Sequence, residues 1–376
     1  MFKKDLKNFS FVTIGRVIST LGQTAFFILF ATISDPKIYG ELSYVLSIAG
    51  TSSVIIRFGF SQTVVVYQAK EKKQLANQIN VFVIICSSIG AVILLFFNPL
   101  AAFLSISISF FVMNQNNYLG LKKYKKLFIF AISRGLLFIV LPIGLFFVFD
   151  LSGALLGMAL SYMIGGFDFL TKIKIKNLNF RELFQDIKFI LNNFGVNVSQ
   201  NLPRWVDKLA IVPLLGFEIA GVYQLNLQIL FATSIIPSAL HSFLLSEESS
   251  GHNQNKINIF VLMVSIIMIL VVVLLSPMAI KQIFPQFVEG IPSLQILIFS
   301  LMPITISYIL LAKLQAKEST RAGYSAIIRV GLLIGLIIIL GPELELIGLS
   351  IAFLLSSIGY TIFLAIIMKK QYEIKK

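Results

Sequence analysis

The sequence predicts an all-α integral membrane protein with about twelve transmembrane helices in two sets of six. Three observations carry that prediction. The 376 residues are 57% hydrophobic and 13% charged, with a mean hydropathy of +0.89. Soluble domains carry roughly a quarter charged residues. The apolar residues come in blocks of about twenty, the length that crosses a bilayer core as helix. The loops between the blocks alternate between basic and nearly uncharged, which is the signature of topology.

The predicted spans are 9–33, 39–66, 75–97, 100–120, 127–149, 151–171, 189–214, 217–245, 257–276, 292–312, 324–341 and 344–368. The tight connections break at Asp35-Pro36, Asn98-Pro99, Asp150, Gly216, Pro285 to Pro292 and Gly341-Pro342. Met1-Phe2-Lys3-Lys4 runs into an apolar stretch that is too long for a signal peptide and lacks a small-residue cleavage site, so it reads as an uncleaved first span. One set of loops carries Lys3, Lys4 and Lys7; Lys70, Lys72 and Lys73; Lys122, Lys123, Lys125 and Lys126; Lys172, Lys174, Lys176, Arg181 and Lys188; Lys256; Lys313, Lys317 and Arg321; and Lys369, Lys370, Lys375 and Lys376. The other set holds only Lys37 and Lys281. The first set is expected in the cytoplasm, with both termini inside a cytoplasmic (inner) cell membrane.

The longest loop, with Phe180 to Lys188, reads as a short amphipathic helix on the inner surface. It divides the chain into an N-terminal lobe (1–176), a linker (177–188) and a C-terminal lobe (189–376). A weak internal repeat obeys the same division. A shift of 181 residues brings Ile38 onto Ile219, Gly40 onto Gly221 and Ile48 onto Ile229. Both halves begin inside, so the repeat is parallel.

Several classes of function are disfavoured. The net charge of +14 is clustered in short loops rather than spread over a nucleic-acid face. Cys86 stands alone, so neither an intrachain disulfide nor a cysteine metal site is expected. His241 and His252 are too few and isolated for a metal centre, and Glu247 and Glu248 are read as facing cytoplasmic water. No phosphate-binding G-x-x-x-x-G-K-[ST] loop is present. The expectation is a protein that is not an enzyme and needs no cofactor, driven by an H+ or Na+ gradient, membrane potential or product removal.

The informative residues are charges inside spans: Arg16, Arg57, Arg134, Arg204, Lys208 and Arg329, against Asp168 and Asp207. An intramembrane charge costs about 2.5–3.5 kcal/mol on insertion scales and normally faces a cavity or a partner. In the seventh span Asn193, Asn197, Asn201, Arg204 and Lys208 recur at helical spacing, and predict one polar face lining a water-filled cavity. The competing reading is amide glue between helices. Pro203 is expected to bend this span. The first span carries Arg16, Thr20 and Gln23 on one face; the second carries Ser53, Arg57 and Ser61. The eighth offers Gln224 and Gln228, then Ser234, Ser238 and Ser242. For Arg16, Arg134 and Arg329 two readings stand, snorkelling to inner headgroups or lining the cavity. Lys208 has an outward snorkelling alternative. Asp207 reads as a partner of Arg204, with ion coupling as the alternative, and Asp168 as a boundary residue.

The chain resembles the O-antigen and polysaccharide-unit flippases of the multidrug/oligosaccharidyl-lipid/polysaccharide (MOP) exporter superfamily. The resemblance rests on Asp35-Pro-Lys-Ile-Tyr-Gly-Glu-Leu-Ser43, Arg57-Phe-Gly-Phe-Ser-Gln62 and Asn117-Tyr-Leu-Gly-Leu-Lys-Lys-Tyr-Lys-Lys126, with Trp205-Val-Asp-Lys-Leu209 and Gly221-Val-Tyr-Gln-Leu225. It implies a MATE-like fold, two pseudo-symmetric six-helix lobes around a central cleft. The implied substrate is a polyprenyl-(pyro)phosphate-linked oligosaccharide for cell-surface polysaccharide synthesis. Its phosphates would be held by Arg16, Arg57, Arg204 and Lys208, with Arg134 and Arg329 as further candidates. The partners implied are this lipid-linked oligosaccharide, the lipid bilayer and polysaccharide-assembly proteins. The chain lacks the two extra spans typical of lipid II flippases. The rivals are an organic-cation (multidrug) exporter of the same superfamily and a membrane glycan polymerase or glycosyltransferase.

Overall fold

The computed structural model describes residues 2–174, 179–235, 237, 255–316 and 321–373, and among these no strand occurs. Ser238, His241, Ser242, Glu247, Glu248 and His252 lie outside the described residues. The helices are α1 (Phe2–Ile33), α2 (Pro36–Ile56), α3 (Phe60–Ala69), α4 (Lys73–Leu95), α5 (Pro99–Gly120) and α6 (Tyr124–Leu170). After them come α7 (Phe180–Gln185), α8 (Ile187–Asn201), α9 (Val206–Thr233), α10 (Asn255–Ile283), α11 (Ile291–Leu297), α12 (Leu301–Ala316) and α13 (Arg321–Glu373).

Local chemistry sets the boundaries. Proline opens α2 and α5, where its missing N–H costs nothing. Asp35 Oδ1 accepts from Ile38 N–H (2.8 Å), and Asn98 Oδ1 accepts from Ala101 N–H (2.9 Å). The 47 residues of α6 would run about 70 Å as straight helix. That is twice a bilayer core, and the chain breaks at Phe149 (φ −131°) and Asp150 (φ 50°), the predicted turn. The two arms lie against each other: a Cβ on Gly157 would meet Pro142 N at 2.5 Å. α9 breaks at Gly216 (φ 84°), again as predicted. α13 is expected to turn at Gly341-Pro342, but the helix carries Pro342 and breaks at Glu345 (φ 46°).

Two spans that read as continuous are interrupted. The second is split between α2 and α3, which meet at a 49° bend. The seventh is interrupted by a 3-10 turn at Leu202–Arg204, beside the proline expected to bend it. By length and composition, five segments can cross a membrane: Lys73–Leu95, Tyr124–Leu170, Ile257–Ile283, Pro285–Leu314 and Ile328–Lys370. The bent α2–α3 pair makes a sixth. The protein is therefore a helical membrane protein with several apolar spans. The count of twelve stays an expectation of the sequence.

The helices group into two compact units. The first comprises Met1–Phe26 and Val45–Trp205; the second comprises Phe27–Tyr44 and Val206–Lys376. The sequence-based division at the 177–188 linker differs from this grouping at two places. The linker and α8 pack with the first unit, and the tip of the α1–α2 hairpin packs with the second. In the first unit, Phe60, Val64, Ile79, Phe110 and Ile190 form a buried core. In the second, Ile211, Tyr223, Leu227, Leu297 and Phe353 do so.

Candidate functional site

The first unit holds two of the intramembrane arginines, Arg57 and Arg134. Arg57 stands directly after α2, at the α2–α3 break. The break is a backbone feature: Phe58 (φ 37°) and Gly59 (φ 74°) are both left-handed. Glycine is required at 59, because a Cβ there would strike the Ile190 carbonyl and meet Phe194 N at 2.5 Å. Phe58 stacks on Phe194 with ring centroids 4.7 Å apart. The break holds Arg57 inside the unit, 4% exposed, with Nε and Nη1 buried and without an acceptor.

Arg134 comes from α6. Gly22 on α1 and Gly135 on α6 bring those backbones together, since a Cβ on Gly22 would lie 2.8 Å from Gly135 Cα. The neighbouring Arg134 therefore reaches α1, where Nη2 donates to Gln23 Oε1 (3.3 Å) and the Ser19 carbonyl (3.4 Å). Its guanidinium lies over the rings of Tyr162 (4.9 Å), Phe138 (5.3 Å) and Phe111 (5.6 Å). Its Nε is buried without an acceptor.

Neither arginine has a counter-charge. The salt bridges among the described residues join Lys172 to Asp168 and Lys208 to Asp207. Elsewhere the same unit pairs some of its buried polar groups, while Thr51, Ser87, Ser105 and Asn197 also keep a side-chain atom without a partner. Asn117 Nδ2 donates to Asn80 Oδ1 (2.8 Å) and the Met113 carbonyl (2.9 Å), and its Oδ1 accepts from Gln68 (2.8 Å) and Asn80 (3.2 Å). Asp168, read as a boundary residue, accepts from Asn114 (3.0 Å), Tyr118 (2.7 Å) and Lys172. The arginines differ from those neutral hydroxyls and amides in carrying charge, so an anion is the partner that suits their unpaired nitrogens.

The seventh-span stripe is not one face. Asn193, Asn197 and Asn201 share a face of α8, Arg204 sits exposed in the 3-10 turn, and Lys208 lies on α9. Asn193 Nδ2 donates to Thr63 Oγ1 on α3 (3.0 Å), which is the interhelical glue. Asn201 Nδ2 donates to Asn197 Oδ1 (2.8 Å), while Asn197 Nδ2 is buried without an acceptor. The Arg16 side chain lies outside the described residues, although its backbone is helical.

No family model matches the chain, and no curated protein matches it. Solved structures do. The lipid II flippase MurJ in an inward closed conformation matches with a TM-score of 0.75 at 16% identity, over 95% of this chain and 87% of that one. The Vibrio cholerae MATE transporter VcmN, as a mutant, matches with a TM-score of 0.64 at 16% identity over 98% and 97%. A MOP-superfamily transporter from Pyrococcus furiosus, described as having a binding pocket of reversed polarity, matches with a TM-score of 0.59 at 16% identity over 98% and 96%. The chain shares its fold with these MATE and MurJ structures.

Within that fold the second unit carries its own charged cluster. Asp207 and Lys208, 1% and 2% exposed, form an ion pair (2.9 Å). The sequence sets Asp207 against Arg204; within this unit the partner of Asp207 is the adjacent Lys208. Tyr223 is fully buried, its hydroxyl lacks a partner, and it lies in electrostatic range of Asp207 and Arg329. Arg329 sits over Tyr360 (5.3 Å) and Phe353 (5.8 Å), with Nε buried and unpaired. Each unit thus lays an arginine on aromatic rings, Arg134 in the first and Arg329 in the second. The rings escape a reading of the sequence. Their one signal is a tyrosine, Tyr162 or Tyr360, inside an otherwise apolar span.

Proposed function

We propose that this protein is a membrane transporter that flips an anionic, polyprenyl-phosphate-linked oligosaccharide by alternating access of its two halves. The observation that carries the reading is Arg57: an unpaired guanidinium, 4% exposed, with Nε and Nη1 lacking acceptors. Leaving a cation so placed without a partner is expensive. A phosphate oxygen pair relieves that cost, because the guanidinium fork binds it bidentately. Arg134, tied to Gln23 and laid over Tyr162, adds a second cation in the same unit. The fold shared with MurJ and the MATE transporters supports transport as the class of activity.

The basic loops and both termini face the cytoplasm, and the glycan passes to polysaccharide-assembly proteins outside. Arg16, Arg204 and Lys208 join the path in other states of the cycle. Asn193, Asn197 and Asn201 line it with amides. Asp207, buried beside Lys208, is the candidate group for coupling to H+ or Na+. An organic-cation exporter is the rival, and two arginines in the first unit with no ion pair among the described residues disfavour a cationic cargo.

The test is reconstitution of the purified chain in vesicles with a fluorescent polyprenyl-diphosphate-linked glycan. Wild type moves the probe between leaflets, and Arg57→Ala and Arg134→Ala lose most of that rate while remaining monodisperse. Full transport by both variants, or transport of ethidium but not the glycan, overturns the assignment.

A further inference from the structure

We propose that the ends of α5 and α6 form a headgroup site for an anionic phospholipid of the surrounding bilayer, held by Lys123, Lys126 and Lys172. The site uses none of the residues of the transport reading and does not rest on it. It starts from a turn in the first unit. α5 ends at Gly120 and α6 starts at Tyr124, and Lys122 between them is left-handed (φ 56°). Tyr118, 2% exposed, ties three helix ends together. Its ring stacks on Phe130 of the first arm of α6 (5.8 Å), and its hydroxyl donates to Asp168 near the end of the second arm (2.7 Å). Two ammonium groups stand over this one ring, Lys172 Nζ 4.0 Å and Lys126 Nζ 5.7 Å from its centroid. The ring face attracts them through its quadrupole but has no net charge to offset them. Asp168 is already engaged, since its Oδ2 accepts from Asn114 (3.0 Å), Tyr118 and Lys172. Among the described residues Lys123 and Lys126 form no ion pair. The Lys172 pKa is lowered, by burial first and also by repulsion from Lys126 and Lys123, against the opposing effect of Asp168. A phosphate among these ammoniums offsets that repulsion through charge-assisted hydrogen bonds.

Exposed apolar surface runs on from the lysines, and this selects a lipid over a free anion. On the first arm of α6, Lys125, Ile129, Leu136 and Val140 are exposed at spacings of 4, 7 and 4, which is one helix face. On the second arm, Leu160, Phe167 and Leu170 are exposed and lead up to Lys172. A soluble phosphate gains nothing from such faces. A phospholipid lays its chains along them while its phosphate reaches the ammoniums, and basic pockets at the ends of membrane helices take anionic headgroups in this way. The neighbouring α3–α4 turn supplies a contrast at the same end of the unit. It is pressed against this site, because a Cβ on Gly120 would meet Gln68 Cβ at 2.6 Å. It carries Lys70 and Lys73, both exposed, and the ring contact there belongs to Lys72 over Tyr67 (5.4 Å). Charge is therefore shared by both turns, whereas two ammoniums on one ring occur only at Tyr118 among the described contacts of these turns.

The experiment titrates the purified full chain in detergent with phosphatidylglycerol or phosphatidylcholine and counts bound lipid by native mass spectrometry. The wild-type chain should retain one phosphatidylglycerol and prefer it to phosphatidylcholine. Lys123→Gln combined with Lys126→Gln should weaken phosphatidylglycerol binding about thirty-fold, the effect of two lysines at a membrane surface. Both side chains are exposed, so the variant keeps its packing. Lys70→Gln combined with Lys73→Gln removes the same charge from the adjacent turn and should leave the affinity unchanged. Equal losses in the two double variants mean diffuse attraction and overturn the site, as does equal binding of the two phospholipids. Displacement of the lipid by inorganic phosphate alone, or by a single-chain polyprenyl phosphate as readily as by phosphatidylglycerol, overturns a bilayer phospholipid as the occupant. None of these readings measures transport, so a chain that ignores the glycan refutes the flippase reading without touching this one.

Discussion

At the residue scale, the decisive question is which buried polar atoms have partners. Asn117, Asn80 and Gln68 satisfy one another, whereas Arg57 keeps two buried nitrogens without acceptors. A hydrogen bond to a charged group contributes about 1.5–3 kcal/mol. Arg57→Ala should therefore weaken anion binding roughly ten- to hundred-fold by that same measure. Titration of the detergent-solubilised protein with the lipid-linked glycan checks it, and Arg57→Lys should restore only part, because an ammonium lacks the fork. Tyr162 acts through Arg134, whose guanidinium lies over its ring. Tyr162→Phe should keep most of the binding and Tyr162→Leu should lose the ring face, worth about 0.5–2 kcal/mol in a desolvated cation–π contact. Equal affinity in the Phe and Leu variants would remove Tyr162 from the site.

At the element scale, breaks in helices matter more than helices. Two left-handed residues, Phe58 and Gly59, turn α2 into α3 and seat Ile190 and Phe194 of α8 against the turn. Gly59→Ala should lower the thermal midpoint in detergent and raise the aggregated fraction. The left-handed backbone alone costs an L-residue about 1–2 kcal/mol, and the new methyl meets the Ile190 carbonyl. Asn117→Ala should strand the amides of Asn80 and Gln68, costing about 1–3 kcal/mol for a buried unsatisfied group. That variant should show a lower midpoint with unchanged glycan affinity, in contrast to Arg57→Ala. A coincident loss of affinity would mean that the amide network belongs to the site.

At the scale of the whole molecule, the charge pattern makes a prediction of orientation. Cysteines placed at Lys37 and Lys281 should react with an impermeant maleimide on intact cells. Cysteines at Lys123 and Lys369 should react only after the membrane is permeabilised, by the positive-inside rule. Labelling of both sets from one side would collapse the predicted topology.

Hydrophobic block length, loop charge and turn residues are local properties. The chain alone therefore dictates the helical membrane class, the breaks at Asp150 and Gly216, and Arg57 as a buried charge. The repeat is also legible there. The stripe from Asn193 to Lys208 reads as continuous and is not. Helical spacing assumes an unbroken helix, and the 3-10 turn at Leu202–Arg204 changes the angular position of every later residue in the span. Partners distant in sequence emerge only from packing: Arg134 on Tyr162, Arg329 on Tyr360, and Asn193 of α8 beside Thr63 of α3. Periodicity reports which face of a helix is polar, but which ring or acceptor fills the space opposite depends on how separate helices pack.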